Sequence, residues 1–428
     1  IGCEAGRTIY DGGNMIANCG ELLLQGKRFS FQEIELETTN VEVDLTPRRY
    51  SHQQIVRVIS RKIKGFAEAE DLKVTKPVTY QNEHTYSVVT LALALGLWDW
   101  QRKTFQKGYV ISLSGGADSA LCASAVYLAH ALALVELGTA NYQRSLSALG
   151  ISLDISKSDL IKTQVMPQVL TTVYQASENS GKVTMSAASQ LAQALGASHH
   201  QWQITSEVDS YQQKVEQALG RKLNWQQDDI ALQNIQARAR SPGIWFMANV
   251  ECKLLIATSN LSEASVGYCT MDGDTSGVLA PIGGISKSLV LKLNEFLCNK
   301  GLDRGKQNFK IKQLQAVINQ QPTAELRPVE QNDETDLMPF ELLDKIRYLS
   351  QAKNLNPQSV FNALQQVQFN NTYSNNQLQL FVKKYYQLYS RNQWKRERLA
   401  VSFHIEHDSA CPKTFRRFPV LNNMPVIF

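Results

Sequence analysis

The 428-residue sequence has little of what marks several common protein classes. Its seven cysteines (Cys3, Cys19, Cys122, Cys252, Cys269, Cys298 and Cys411) form no CxxC pair and keep no regular spacing. That argues against a zinc ribbon or a disulfide framework and reads as reduced thiols in a cytoplasmic protein. Neither sign of charge dominates. The 44 lysines and arginines against 39 aspartates and glutamates leave +5, too little for a nucleic-acid surface but suited to a small polyanionic ligand. No clean membrane span is expected, because the apolar stretch from Ala120 to Leu137 carries His130 and Glu136 and reads as packed core. There is no internal repeat. A Walker loop is missing as well, since the glycines at 115 and 116 are followed by Ala-Asp-Ser and not by Gly-Lys-Ser/Thr.

What stands in its place is "YVISLSGGADSALCASAV", residues 109–126. Tyr109 to Leu113 is short, apolar and β-rich, and reads as a buried strand; Ala120 to Leu137 reads as a helix. Between them Gly115 and Gly116 let the backbone approach a ligand without a Cβ in the way. The free N–H groups at the helix start favour an anion, and Ser114 and Ser119 add hydroxyl donors. Asp118 would repel a phosphate unless a cation lay between them, so magnesium is expected there. The turn reads as a pyrophosphate cradle with a metal.

Around this turn, strands and helices alternate. A helix over Tyr86 to Phe105 precedes it. Further strands are expected at Val169–Tyr174, Gln201–Thr205 and Lys253–Thr258, with helices at Ser186–Leu195 and Ile230–Glu251. This pattern predicts an α/β fold with a doubly wound parallel sheet and ligands at the carboxyl ends of its strands. Earlier, Met15–Ala17 and Glu21–Leu24 read as paired strands, Val41–Leu45 as another, and Ser51 to Glu70 as a helical linker. Residues 138–166 receive no role. The Gln- and Asn-rich stretch 350–393 is expected to be a solvated helical region.

Several downstream stretches carry candidate chemistry. In "NIQARAR" (234–240), Arg238 and Arg240 are two apart and do not share a helix face. "IATSNLSEASVGYCTMDGD" (256–274) puts Thr258 at a strand end and Glu263 in the first turn of a helix, a place for a second carboxylate beside Asp118. In "PIGGISKSLV" (281–290), Lys287 at a helix start opposes the helix dipole and is better explained by a phosphate. "QPTAELRP" (321–328) offers Thr323 as a donor to an anion, and "QNDETDLMPFELLDKI" (331–346) offers Asp333, Glu334 and Asp336. "NQWKRER" (392–398) and "FRRFP" (415–419) are basic runs of the kind usually found at the surface.

Set in this order, the stretches resemble the glutamine-dependent NAD synthetases. The Ser-Gly-Gly-x-Asp-Ser loop is similar to that of the N-type ATP pyrophosphatases, whose fold is adenine nucleotide alpha hydrolase-like. The other motifs are more specific to the synthetase. The resemblance covers about residues 80–428, while residues 1–50 are similar to the closing segment of a nitrilase-like glutaminase domain and 51–80 to a linker. It implies ATP-dependent amidation of deamido-NAD to NAD through an adenylated carboxylate, with release of AMP and pyrophosphate. It places Ser114, Gly115, Gly116 and Ser119 on the pyrophosphate, Asp118 and Glu263 on magnesium and Thr258 on ATP. Lys287 and Thr323 would steady the phosphates, with Asp118, as catalytic groups. Asn234, Arg238, Asp274, Glu334, Lys395 and Arg396 would face deamido-NAD. Two features depart from the family pattern: no histidine precedes Lys395, and "YQASENSG" (174–181) lacks an arginine that some members use near ATP.

The family's glutaminase Glu, Lys and Cys would lie before Ile1, so the chain as given is expected to use ammonia, and the full-length protein glutamine. A homo-oligomer built on a dimer is implied, with no nucleic acid and no membrane as partner. A tRNA-modifying enzyme with the same loop would bring a basic surface and often paired cysteines; an inactive scaffold would show a broken cradle. The sequence shows neither.

Overall fold

The chain begins with two small antiparallel strand pairs. In the computed structural model, which describes residues 2–3, 6–41, 76–79, 83–156, 158–320, 326–327, 333–415 and 420, β1 (Gly2–Cys3) pairs with β2 (Ile9–Tyr10), and β3 (Met15–Asn18) with β4 (Glu21–Gln25). Cys19 and Gly20, both at positive φ, make the tight turn between β3 and β4. The expected strand at 41–45 and helix at 51–70 fall almost wholly outside the described residues.

This segment does not stand apart. Cys3, Phe29 and Phe31 are buried in the main core. Asp99 accepts the Cys3 N–H at 2.8 Å, and the Trp100 Nε1–H donates to the Gly6 carbonyl at 3.1 Å. Glu136, itself buried, accepts from the Phe31 N–H (3.1 Å) and pairs with Lys27 and Arg304, both at 2.7 Å. Breaking a buried ion pair by removing one partner leaves the other charge uncompensated. Glu136→Gln is therefore expected to lower unfolding stability by about 3 kcal/mol, measured by denaturant titration. An unchanged midpoint would show that these contacts do not hold the segment down.

The main sheet is built from apolar runs too short for helices. It contains β5 (Tyr109–Ser112), β6 (Leu170–Ala176), β7 (Ser198–Gln203), β8 (Leu254–Ile256) and β9 (Leu279–Ala280). The hairpin β10 (Leu302–Arg304) and β11 (Gln307–Phe309) lies apart from it, and β12 (Val401–Ser402) completes it. The order is β12-β9-β8-β5-β6-β7, parallel throughout, as the alternation predicts. The third strand lies three residues earlier than expected. SHHQWQ is polar because β7 is an edge, while the apolar Ile204 leaves the ladder to be buried at the start of the next helix.

Helices cover both faces. On one lie α1 (Thr85–Thr104) and α2 (Ala117–Ser147), with α3 (Lys182–Leu195). α4 (Thr205–Leu219) follows β7, and α5 (Asp229–Glu251) covers the other face with Ile244 and Ala248 against Val110, Val173 and Leu255. α6 (Leu261–Val266) and α7 (Lys287–Asn299) follow β8 and β9. α2 is long and apolar enough on composition to cross a membrane, yet most of its apolar side chains are buried in the core. Gly138 (φ 69°) breaks it, and the second half carries Tyr142 back to His130 at 2.9 Å. Residues 138–166 thus contribute core side chains, among them Leu146, Val165 and Met166.

The Gln- and Asn-rich stretch is helical but not merely solvated. Together with α8 (Phe340–Arg347), α9 (Pro357–Leu364) and α10 (Asn375–Arg391) form a second core, in which Leu378, Val382, Tyr385 and Tyr389 make a buried stripe along α10.

Candidate active site

From β5 the chain winds to β6 and β7 on one side, then crosses to β8 on the other. The loops leaving the carboxyl ends of β5 and β8 therefore diverge at a topological switch point, where open α/β sheets hold their ligands. A cavity of about 280 Å³ opens there, reached by Ser114, Asp118, Thr258, Glu263 and Lys287.

On the β5 side, Gly115 takes φ +84°, and a Cβ added to it would lie 2.2 Å from the Thr184 carbonyl oxygen. Only glycine fits that packing against α3. Gly116 is the extended N-cap residue of α2 and brings no side-chain cap, which leaves the first N–H groups of the helix pointing at the cavity mouth. Ser114 Oγ and Ser119 Oγ lie 3.2 Å apart across the turn. The Asn294 amide donates to the Ala117 carbonyl at 3.0 Å and pins the helix start.

On the β8 side, Asn260 caps α6 by accepting the Glu263 N–H at 3.0 Å, and its own amide donates to Asp118 Oδ1 at 2.9 Å. One asparagine thereby holds the Asp118 carboxylate and the first turn of the helix that carries Glu263. Their common partner is Lys287, whose side chain is only 4% exposed: its ammonium contacts Asp118 Oδ2 and lies 3.2 Å from Glu263 Oε1. Among the described residues no cluster of three or more metal-ligating side chains forms. The site has two carboxylates and one ammonium that they share.

The remaining candidates separate. Arg238 is exposed and donates to the Met271 carbonyl at 3.0 Å, whereas Arg240 lines the cavity. The two-residue offset puts them on different faces, as the helix spacing requires. Asn234 accepts from Thr270 Oγ1 at 2.7 Å and so fixes the 270–275 loop. Asp274 in that loop lines the cavity and is exposed to it, while desolvation by the protein packed around it pushes its carboxyl up to about 6.

Glu334 is exposed and accepts the Phe340 N–H at 2.8 Å, a local cap at the start of α8. Asp336 pairs with Arg327 at 3.0 Å, and that guanidinium reaches Asp229 at 2.8 Å. Lys395 donates to the Gly267 and Cys269 carbonyls, both at 2.8 Å. Arg396 is buried, with 2% exposure: it stacks over Tyr389 and donates to the Ser265 carbonyl at 2.7 Å. The basic run 392–398 is thus partly framework and not simply surface. Thr323 lies outside the described residues, as does most of the second basic run.

Gln175 was missed as a cavity residue, and Arg240, paired with Arg238 in the sequence, was given no place in the site. Gln175 accepts from Ser112 Oγ at 2.9 Å and donates to the Arg240 carbonyl at 2.8 Å. It holds the cavity wall from the end of β6. A helical wheel over "NIQARAR" anchored on the buried Gln236 would have pointed to Arg240.

Residues 92–398 match the NAD synthase family. The chain belongs to that family. Its relatives include the glutamine-dependent NAD(+) synthetases of Mus musculus and Saccharomyces cerevisiae. Each is 28% identical; the alignments cover 99% of this chain and 61% and 63% of those proteins. The crystal structure of a glutamine-dependent NAD(+) synthetase from Cytophaga hutchinsonii is similar with a TM-score of 0.78 at 32% identity, over 99% of this chain and 62% of that one. The chain therefore spans a little over three fifths of the length of these relatives.

Proposed function

We propose that the chain carries out the ATP-dependent amidation of deamido-NAD to NAD. The nicotinate carboxylate oxygen attacks the α-phosphorus of ATP, the bond to the bridging oxygen of the β-phosphate breaks, and pyrophosphate leaves. Ammonia then attacks the carboxyl carbon of the adenylate, AMP departs with the bonding pair, and the nitrogen loses a proton to give the amide. Forming the adenylate brings two anions together, so the site must position them and neutralise charge more than transfer protons.

The observation that carries this reading is the Lys287 ammonium, buried between Asp118 and Glu263 directly beside the Ser114–Ser119 cradle. Asp118 and Glu263 converge on one point with hard oxygen donors, a set that suits magnesium completed by phosphate oxygens and water. Magnesium bound there would supply charge neutralisation for the polyphosphate. The cradle N–H groups and the hydroxyls of Ser114 and Ser119 bind the pyrophosphate, and Thr258, two residues beyond β8 and in the cavity wall, faces ATP. Arg240, Asp274 and Gln175 line the wall open to the second substrate.

The names of the relatives support glutamine as the ultimate nitrogen source, with ammonia as the species that reacts here. A cytoplasmic setting is in keeping with cysteines that form no CxxC pair and keep no regular spacing. A homo-oligomer is supported by apolar side chains left exposed on neighbouring helices: Tyr211, Val215 and Leu219 along α4, Phe246 and Val250 on α5.

The test supplies ATP, magnesium, deamido-NAD and ammonium and follows NAD with a coupled dehydrogenase and pyrophosphate in parallel. Equal amounts of NAD and pyrophosphate are expected. A folded protein that forms neither product would overturn the reading.

A further inference from the structure

Lys287 opens α7, and a lysine at a helix start is held against the dipole. The N-cap residue, Ser286, makes no side-chain cap. Instead, three successive backbone N–H groups at this end are satisfied from three distant segments. Ser286 N–H donates to Glu406 Oε1 at 2.6 Å, Lys287 N–H to Ser262 Oγ at 2.8 Å and Ser288 N–H to Asp344 Oδ2 at 3.1 Å. Ser262 Oγ in turn hydrogen-bonds to Asp344 Oδ1. Two carboxylates at the positive end of the helix offset the misplaced lysine charge.

Those carboxylates are themselves held. Arg347, with 2% of its side chain exposed, donates from Nη2 to Glu406 Oε2 at 2.7 Å and from Nη1 to Asp408 Oδ1, and its Nε lies 3.9 Å from Asp344 Oδ1. Burial pushes the Asp344 carboxyl up, and the Arg347 charge opposes that. Phe340, Asp344 and Arg347 stand at i, i+4 and i+7, so one face of α8 carries all three. Phe340 places its ring 5.5 Å from the Lys287 ammonium.

We propose that Arg347 is a positioning residue for Lys287: through Asp344 and Glu406 it clamps the first turn of α7 and fixes where the ammonium meets the phosphates. Arg347 touches neither substrate nor cradle; it acts through the helix end. The proposal rests on the function proposed above. It also assigns a task to the 401–408 tail, which brings Glu406 and Asp408 to the clamp.

A double-mutant cycle tests it, with ammonium as donor and pyrophosphate release as the readout. Arg347→Met is expected to lower kcat about tenfold while KM for ATP stays within about threefold; in a Lys287→Ala background the same substitution should change kcat less than about twofold. Equal factors in both backgrounds would overturn the proposal, because a general loosening of the fold does not need Lys287. If Arg347→Met fails to fold, Glu406→Gln carries the same cycle, since it keeps the shape and loses one charge. If the unsubstituted protein releases no pyrophosphate, the synthase reading fails, and the cycle is then read on ATP–magnesium affinity by calorimetry. There, coincident losses support the clamp and independent losses overturn it.

Discussion

Lys287→Ala is expected to reduce kcat by about three orders of magnitude while folding stability stays within about 2 kcal/mol of the unsubstituted protein. The ammonium is nearly buried and is shared by two carboxylates. Removing it leaves Asp118 and Glu263 facing each other and the incoming polyphosphate with no protein cation among the three of them. A second result should accompany the rate loss. In the absence of nucleotide, Lys287 competes with any metal for the same oxygens, so Lys287→Ala should bind magnesium alone more tightly than the unsubstituted protein by calorimetry. A kcat within tenfold of normal would remove Lys287 from the chemistry. Unchanged magnesium affinity would show that the carboxylates do not form the metal site.

Gly115→Ala is expected to abolish measurable ATP binding, with an affinity loss of about a hundredfold or more, and to lower stability by about 2 kcal/mol or more. Two independent costs act on it. The residue sits at φ +84°, where a Cβ is strained, and that Cβ would meet the Thr184 carbonyl oxygen at 2.2 Å. The obstacle is the backbone of α3, which cannot rotate away as a side chain would, so the cradle itself must move. The neighbouring glycine is the control. At Gly116 an added Cβ meets only Ser114 Oγ, at 3.4 Å, and φ is −87°. Gly116→Ala should therefore fold with stability changed by about 1 kcal/mol or less. Equal losses at the two positions would show that the loop is fixed by glycine content in general and not by the contact with α3.

The contrast between these neighbours marks what could be read before the structure. The Gly-Gly pair, the hydroxyls and Asp118 stand together in one turn, so their chemistry shows in a few consecutive residues. Glu263 in the first turn of its helix was legible for the same local reason, whereas the strand expected to reach Thr258 stops at Ile256 and leaves Thr258 in the loop. That Gly115 and not Gly116 is the obligate glycine depends on α3, some seventy residues on, and no local pattern carries it. Lys287 was visible as an anomaly at a helix start, but its partners come from the helices that follow two adjacent strands, β5 and β8. β9 and β12 have two residues each, too few for any periodicity to show. Arg396 misled because a charged run is ordinarily solvated; Tyr389 and the Ser265 carbonyl, which take it inside, come together only on folding. The stripe Leu378, Val382, Tyr385, Tyr389 was legible in principle, since its spacing is helical, but the glutamines and asparagines around it masked the period.

The sheet's last edge has a temporal side. β12 lies in the tail, yet it pairs with β9, and just beyond it the His404 N–H donates to the Arg7 carbonyl at 3.0 Å, joining residues separated by almost the whole chain. On a ribosome, β9 emerges with one ladder of donors and acceptors unpaired and keeps it so until more than a hundred further residues have been made. The Arg7 carbonyl likewise waits for its partner until His404 has been made. Closure of this sheet is therefore a late, long-range event, slow by the measure of contact order, and the nascent chain carries an adhesive edge for as long as the residues between β9 and β12 are being made.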